Sequence, residues 1–225
     1  MSTLRTILTQ YRKVCVKSHK HLYTIELDEQ LTIESKTNNY VIAQNRAQQP
    51  IKNASGLISR AIELLSSGNA LEVACALALL SGRRTAEILS SAKFSEAREA
   101  NMLHFVGQAK TKGKRDSEVF KIYCLCDSRE AVEALAFIRA KLGFIDKRKA
   151  NVNYNKRLNQ ITYKYFNEFL GDCSTKDLRK AYATICIDRF KSNKQSVSFF
   201  LSDILGHEKN NTKSTNNYQK YYLEK

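Results

Sequence analysis

Residues 71–88 read LEVACALALLSGRRTAEI. The first ten are apolar nearly all the way round a helical wheel, which marks a helix enclosed on every side rather than one laid on a surface. Asn69, with Glu72 three residues on, supplies a capping pair for its start, and Ser81-Gly82 stops it. The rest of a domain has to be built around such a segment. Directly beyond it come Arg83 and Arg84. An unpaired buried charge is costly, so arginine at this point is expected to have a task other than packing. Glu87 lies three residues after Arg84, one helical turn away, and is placed to hold its guanidinium. The competing reading is a pair of solvated arginines at a helix end.

Upstream, Asn53 or Ser55 is a cap for a helix whose stripe is Leu57, Ile58, Ala61, Ile62 and Leu65, closed by Ser66-Ser67-Gly68-Asn69. Residues 1–54 are polar and weakly patterned and read as an N-terminal extension and linker. Short strands are expected at 23–27 and 31–33, and linker-like composition at 44–52 around the only proline, Pro50. Downstream, 101–110 and 118–125 read as two strands of a hairpin joined by the basic turn 111–115. Asp127 and Glu130 bracket the start of a helix that ends near Gly143. Basic residues 147–157 read as a loop into a helix over 158–170. Ser174 caps a helix through Ile187 with Asp177 in its first turn, and two helices follow at 197–205 and near 215–223. The expectation is an α+β fold: a mostly helical domain over 55–225 with a small antiparallel sheet.

The chain has 225 residues, of which 37 are Lys or Arg and 22 Asp or Glu, a formal charge of +15. With 43% hydrophobic residues it has material for a real core, which excludes a disordered chain. No apolar run approaches the roughly 20 residues that cross a bilayer, and the N-terminus lacks the apolar block of a secretory signal. The six cysteines are then expected to be reduced thiols of a cytosolic protein. Cys75, Cys124, Cys126 and Cys186 read as core thiols, since no second ligand pair with metal spacing accompanies them. The surplus charge calls for a polyanionic partner, with nucleic acid foremost. It is uneven: residues 147–225 hold 16 basic against 7 acidic residues, whereas 57–146 hold 13 against 11.

Four clusters carry chemistry-bearing residues. They are Gly82-Arg83-Arg84 with Glu87, then Gly107-Gln108-Ala109-Lys110-Thr111-Lys112-Gly113-Lys114 on the hairpin, then Lys176-Asp177-Leu178-Arg179-Lys180, and finally Leu205-Gly206-His207 with Tyr218 eleven residues on. On a helix Lys176, Arg179 and Lys180 share one face and Leu178, Tyr182 and Ile185 the other. Each cluster alone is weak. In this order they resemble the catalytic domain of the tyrosine recombinases (phage integrases), over about residues 57–225. Lys176, the Gly-Arg-Arg triplet and the longer interval from His207 to Tyr218 are more similar to the telomere resolvases (protelomerases), as is the stretch from 51 through 88.

The resemblance implies a catalytic set of Arg84, Lys110, Lys176, Arg179, His207 and Tyr218, with Tyr218 as nucleophile forming a 3′-phosphotyrosine link and freeing a 5′-hydroxyl. Phosphoryl transfer needs charge neutralised on the non-bridging oxygens. Arg84 and Arg179 each offer a planar fork of donors, and His207 a further hydrogen bond. Lys110 is the candidate general acid for the leaving oxygen. Lys176 stands where an imidazole is usual. A phenol with a pKa near 10 is mostly protonated at neutral pH, so a cationic pocket that lowers it helps. Arg83, Lys112, Lys114, Arg115 and Lys180 are expected on DNA, with Glu87 orienting Arg84. No cofactor or metal is expected, and neither a Walker loop nor a G-x-S-x-G elbow is present. His19, His21 and His104 read as structural or surface residues. Tyr221 and Tyr222 are rival nucleophiles at still longer intervals from His207.

The implied activity is cleavage and rejoining of double-stranded DNA with inverted repeats, as a homodimer on its site, resolving a telomere junction into closed hairpin ends. The alternatives are a conventional integrase-like recombinase and a non-catalytic DNA-binding module. Family members carry a helical core-binding domain ahead of the catalytic one. Fewer than 60 residues precede it here, so a further DNA-clamping protein or domain is an expected partner. No membrane partner is expected. The expected setting is the cytoplasm of a bacterial host, with the gene carried by a phage or plasmid.

Overall fold

The apolar segment before Gly82 is the axis of the fold. In the computed structural model, which describes residues 48–109, 118–206, 218 and 220–224, it is a helix over Ala70–Ser81 in which every residue except Glu72 is buried. Asn69 caps it by accepting from the Leu71 and Glu72 backbone N–H groups. Glu72 does not complete a capping box; its carboxylate accepts instead from the Tyr165 hydroxyl at 2.9 Å. Each fully buried leucine of this helix stabilises the fold by about 1.5–3 kcal/mol relative to exposure.

Numbered in chain order, the elements are β1 (Gln49–Ile51), α1 (Ala54–Leu65), α2 (Ala70–Ser81), α3 (Thr85–Leu89), β2 (Lys93–Glu96), β3 (Met102–Val106), β4 (Phe120–Tyr123), α4 (Ser128–Leu142), α5 (Lys147–Leu170), α6 (Thr175–Phe190), α7 (Val197–Leu205) and β5 (Tyr221–Leu223). Helices α1, α3, α4, α5 and α6 all pack on α2. All described residues fall within one compact unit spanning 47–225. Two small sheets flank the helices. One is antiparallel in the order β2-β3-β4, and the other is the parallel pair β1-β5.

The expected hairpin is present as β3 paired antiparallel with β4, Leu103 opposite Ile122 and Phe105 opposite Phe120. It ends sooner than its pattern suggested, because Gly107 at φ 99° turns the chain out of the ladder. Strand β2 was not expected. It reads Lys-Phe-Ser-Glu and only Phe94 turns inward, against Phe105 at 5.9 Å between ring centroids, so its periodicity is too faint to register. The turn 111–115 and the strands expected at 23–33 lie outside the described residues.

Three further expectations are corrected. Residues 49–51 are no linker: they form β1, and Ile51 is fully buried. The helix expected near 215–223 is, over Tyr221–Leu223, the strand β5, paired in parallel with β1 in the register Gln49–Tyr221 to Ile51–Leu223. The partner strand lies at the other end of the domain, so no local pattern announces it. Residues 147–157 are helix rather than loop, the first half of α5. Asp146 accepts from the Arg148 and Lys149 N–H groups. Ala150 and Leu158 are buried with Tyr154 packed against the core, a stripe of one small residue and two large ones that basic neighbours obscure.

Candidate active site

Helix α2 ends at Gly82, in the left-handed region at φ 66°. A side chain there would be strained, and a Cβ would also lie 2.3 Å from the Tyr182 ring. The chain leaves this cap extended, with Arg84 at φ −71°, ψ 141°. Successive side chains of an extended segment point to opposite sides. Arg83 therefore turns inward and is fully buried, whereas the Arg84 side chain keeps 28% exposure.

Glu87 is buried and its carboxylate gathers three donors. Oε1 accepts from Arg84 Nη1 at 2.6 Å and from the Ala109 backbone N–H at 3.0 Å, and Oε2 accepts from the Arg84 backbone N–H at 3.0 Å. Burial pushes its pKa up, but the charges of Arg179, Arg84 and Arg83 and the Ala109 hydrogen bond outweigh this and hold it below the ordinary value. Glu87 thus holds both the side chain and the backbone N–H of Arg84. Its hold on Ala109, the residue before Lys110, was not anticipated.

Arg179 enters from the second turn of α6, whose start is built by the expected capping box: Asp177 accepts from the Ser174 N–H at 2.9 Å and its hydroxyl at 2.8 Å. The arginine is 4% exposed. It donates through Nη1 to the Gly82 carbonyl at 2.5 Å and through Nη2 to the Leu205 carbonyl at 2.8 Å. Both carbonyls sit at helix C-termini, the negative ends of α2 and α7, which suits a cation. Its Nε donates to the Tyr218 hydroxyl at 3.2 Å, with the guanidinium carbon 5.6 Å from the centre of that ring. Burial raises the Tyr218 pKa. The charge and hydrogen bond of Arg179, with Arg84 and Arg83 behind it, outweigh that and bring it below the ordinary phenol value.

The rival tyrosines sit elsewhere. Tyr221 is buried in β5 and donates to the Leu170 carbonyl at 3.5 Å, and burial pushes its pKa well up. Tyr222 is 45% exposed on the same strand. Of the expected site residues, the structure thus pairs Arg84 with Glu87 and Arg179 with Tyr218, and the charge of Arg179 is felt at Glu87 and that of Arg84 at Tyr218.

Others are not brought there. Lys176 is exposed on the first turn of α6 and shares no hydrogen bond or ion pair with the cluster among the described residues. Lys180 pairs with Asp177 at 3.0 Å, as does Lys220. Lys176, Arg179 and Lys180 lie on one side of α6 as expected, but they differ in environment: Lys176 is exposed, whereas Arg179 is buried in the domain. Arg83 cannot meet DNA from where it lies. It donates through Nη2 to the Ile204 carbonyl at 2.6 Å and lies over the Phe105 ring at 4.8 Å. Burial, with the charge of Arg179, pushes its pKa down to about 9, still high enough to stay charged at neutral pH. Lys110, Lys112, Lys114, Arg115 and His207 lie outside the described residues. The five described cysteines are free and buried, with the Cys124 and Cys126 sulfurs 3.4 Å apart.

Gln108 belongs to the hairpin cluster read from the sequence but was given no role there; it is buried and its Nε2 donates to the Gly206 carbonyl at 2.6 Å. A lone glutamine after a strand carries no periodic or motif signal.

Residues 48–221 match the family described as the telomere resolvase ResT/TelK catalytic domain. A protelomerase of Klebsiella oxytoca phage phiKO2 is 32% identical over 200 residues, 80% of this chain and 31% of that protein. The chain thus spans about a third of the length of that relative. Two solved structures of protelomerase TelA share its fold. A point mutant complexed with DNA hairpin product superposes with a TM-score of 0.87 at 20% identity, over 99% of this chain and 77% of the other. The protein covalently complexed with substrate DNA gives 0.85 at 21%, over 97% and 75%.

Proposed function

The chain belongs to the telomere resolvase family, and on that premise we propose that it cuts and rejoins DNA through Tyr218, resolving inverted-repeat junctions into closed hairpin ends. The observation that carries this reading is the Tyr218 hydroxyl held at 3.2 Å by Arg179, in a cationic hollow that lowers its pKa. The ionised Tyr218 oxygen attacks the scissile phosphorus, the bond to the 5′-oxygen breaks, and a 3′-phosphotyrosine forms. Arg84, fixed by Glu87, and Arg179 take up the charge on the non-bridging oxygens. Losing one such preorganised donor costs about 10²–10³ in rate. Lys110 supplies the proton for the leaving 5′-oxygen, and His207 a further hydrogen bond to the phosphate. Lys176 reaches the scissile phosphate only with DNA in place. Rejoining reverses the step, with the 5′-hydroxyl of the opposite strand as nucleophile, so the phosphodiester energy is conserved.

Two subunits act as a two-fold pair on an inverted-repeat duplex, whose symmetry mirrors their own. A further DNA-clamping segment or protein completes the grip. Lys112, Lys114 and Arg115 contact the DNA backbone. Phage-encoded relatives support a setting on DNA in the bacterial cytoplasm, and no described helix is long and apolar enough to cross a membrane. The hairpin reading draws on the hairpin-product complex of the TelA mutant.

Incubation with a palindromic duplex tests both parts. A covalent protein–DNA band on a denaturing gel is expected with the parent, Tyr221→Phe and Tyr222→Phe, and lost in Tyr218→Phe. Snap-back strands are the expected product. Exchanged duplexes would point to conventional recombination, and a band that survives Tyr218→Phe would remove the assigned nucleophile.

A further inference from the structure

Three consecutive carbonyls close helix α7, and each is held by a side chain from a different part of the chain. Ile204 accepts from Arg83 Nη2 at 2.6 Å, Leu205 from Arg179 Nη2 at 2.8 Å, and Gly206 from Gln108 Nε2 at 2.6 Å. We propose that Arg83 and Gln108 are positioning residues: by holding the Ile204 and Gly206 carbonyls they fix the end of α7, and with it the Leu205 carbonyl that orients Arg179 beside Tyr218. This rests on the nucleophilic role given above to Tyr218.

The terminal carbonyls of a helix have no partner within it and are commonly left to water. Here all three are taken by side-chain donors, two of them guanidiniums that complement the negative helix end. The arrangement is not economical packing. Among the described residues Arg83 Nη1 and Gln108 Oε1 are buried without a hydrogen-bond partner. An aliphatic side chain of similar length would avoid both orphans, and at position 83 it would also avoid burying a charge. What an aliphatic residue would not do is grip a carbonyl. The fit at Gly206 is equally close. The residue is at φ 67°, and a Cβ on it would lie 2.4 Å from Gln108 Oε1, so the amide rests directly on the backbone it holds. The route to the nucleophile is short. One guanidinium, that of Arg179, joins the Leu205 carbonyl on one side to the Tyr218 hydroxyl on the other. A shift of the α7 end passes through it. The same turn leads on to His207 in the chain.

Gln108→Leu and Arg83→Met test the proposal in the full chain, since each keeps the bulk, removes an orphaned polar atom and deletes the carbonyl donor. Three quantities are read on a palindromic duplex: the single-turnover rate of covalent-complex formation, the affinity for DNA, and the thermal midpoint. A fourth, independent of activity, is the titration of Tyr218 followed by NMR of labelled tyrosine. Affinity and thermal midpoint are expected to stay near the parent's, while the rate falls by about 10–100-fold, the effect of misplacing a reacting group by an ångström or less. The Tyr218 titration should move to higher pH in both variants, and the rising limb of the rate profile with it. Arg83→Met also removes a charge that lowers the Tyr218 pKa, so the titration decides in Gln108→Leu, which leaves every charge in place: a merely structural role predicts a lowered thermal midpoint with that titration unmoved, and that result would overturn the proposal, as would variants that cleave at the parent's rate. If the parent itself forms no covalent complex, the nucleophilic reading fails, while the Tyr218 titration in Gln108→Leu still decides whether the held end of α7 positions it.

Discussion

Replacing Glu87 by glutamine separates charge from shape at the centre of the site. Two of the three donors on this carboxylate converge on Oε1 and the third, the Arg84 N–H, on Oε2. In the Glu87→Gln variant the amide oxygen is best placed at Oε1, keeping the Arg84 guanidinium and the Ala109 N–H. The amide nitrogen then faces the Arg84 N–H, donor against donor, about as close as the present 3.0 Å. A buried donor left unpaired costs about 1–3 kcal/mol, and each surviving bond loses the added strength of a charged acceptor, about 1 kcal/mol. Removing the carboxylate also leaves Arg83, Arg84 and Arg179 without the negative charge among them. The combined loss is about 3–5 kcal/mol, a large share of the roughly 5–15 kcal/mol that holds a domain folded. Urea unfolding followed by far-UV circular dichroism measures it. With a slope of about 2–3 kcal/mol/M the midpoint should fall by about 1–2 M. Covalent-complex formation should fall by about 100-fold as Arg84 loses its orientation. A midpoint within about 0.5 M of the parent's, which at that slope is little over 1 kcal/mol, together with an unchanged cleavage rate, would refute the account of Glu87 as the charge that organises the site.

Asp177 supplies a pH test. Burial opposes its ionisation, but hydrogen bonds from Lys180, Ser174 and Lys220 bring its pKa from the ordinary 3.8 down to about 2. A depressed carboxyl contributes stability above its unfolded pKa and loses it as pH falls through the folded one. Asp177→Asn should therefore cost about 2 kcal/mol at pH 7, with the difference from the parent vanishing between about pH 4 and pH 2; a difference constant with pH would contradict it. Gly82→Ala should cost about 2–5 kcal/mol, from left-handed strain and displacement of the Tyr182 ring, read as a lowered thermal midpoint; a melt within two or so degrees of the parent's would mean that the ring yields freely. Affinity for DNA should drop by about 10³–10⁵ between 50 and 200 mM salt if the protein makes 6–10 phosphate contacts, and salt-insensitive binding would remove the reading of the +15 charge as a DNA-holding surface.

What the sequence determined by itself is what neighbours within a turn or two decide. The apolar run of α2, its stop at Gly82, the spacing of Arg84 and Glu87, the Ser174–Asp177 box and the bounds of α7 all follow from interactions over three or four residues, and periodicity exposes them. The tertiary structure decided the matters that depend on distant partners. Arg83 and Arg84 are adjacent and chemically identical, yet one is a buried clamp on a carbonyl 121 residues away and the other stays part-exposed on Glu87. Gln108 finds its partner 98 residues away. Strand β5 exists because β1 lies beside it, and that pairing leaves Tyr221 and Tyr222 apart from the arginines while Tyr218 meets Arg179. A local pattern records which residues face inward; which carbonyl, charge or ring waits there is set only when remote segments close on α2.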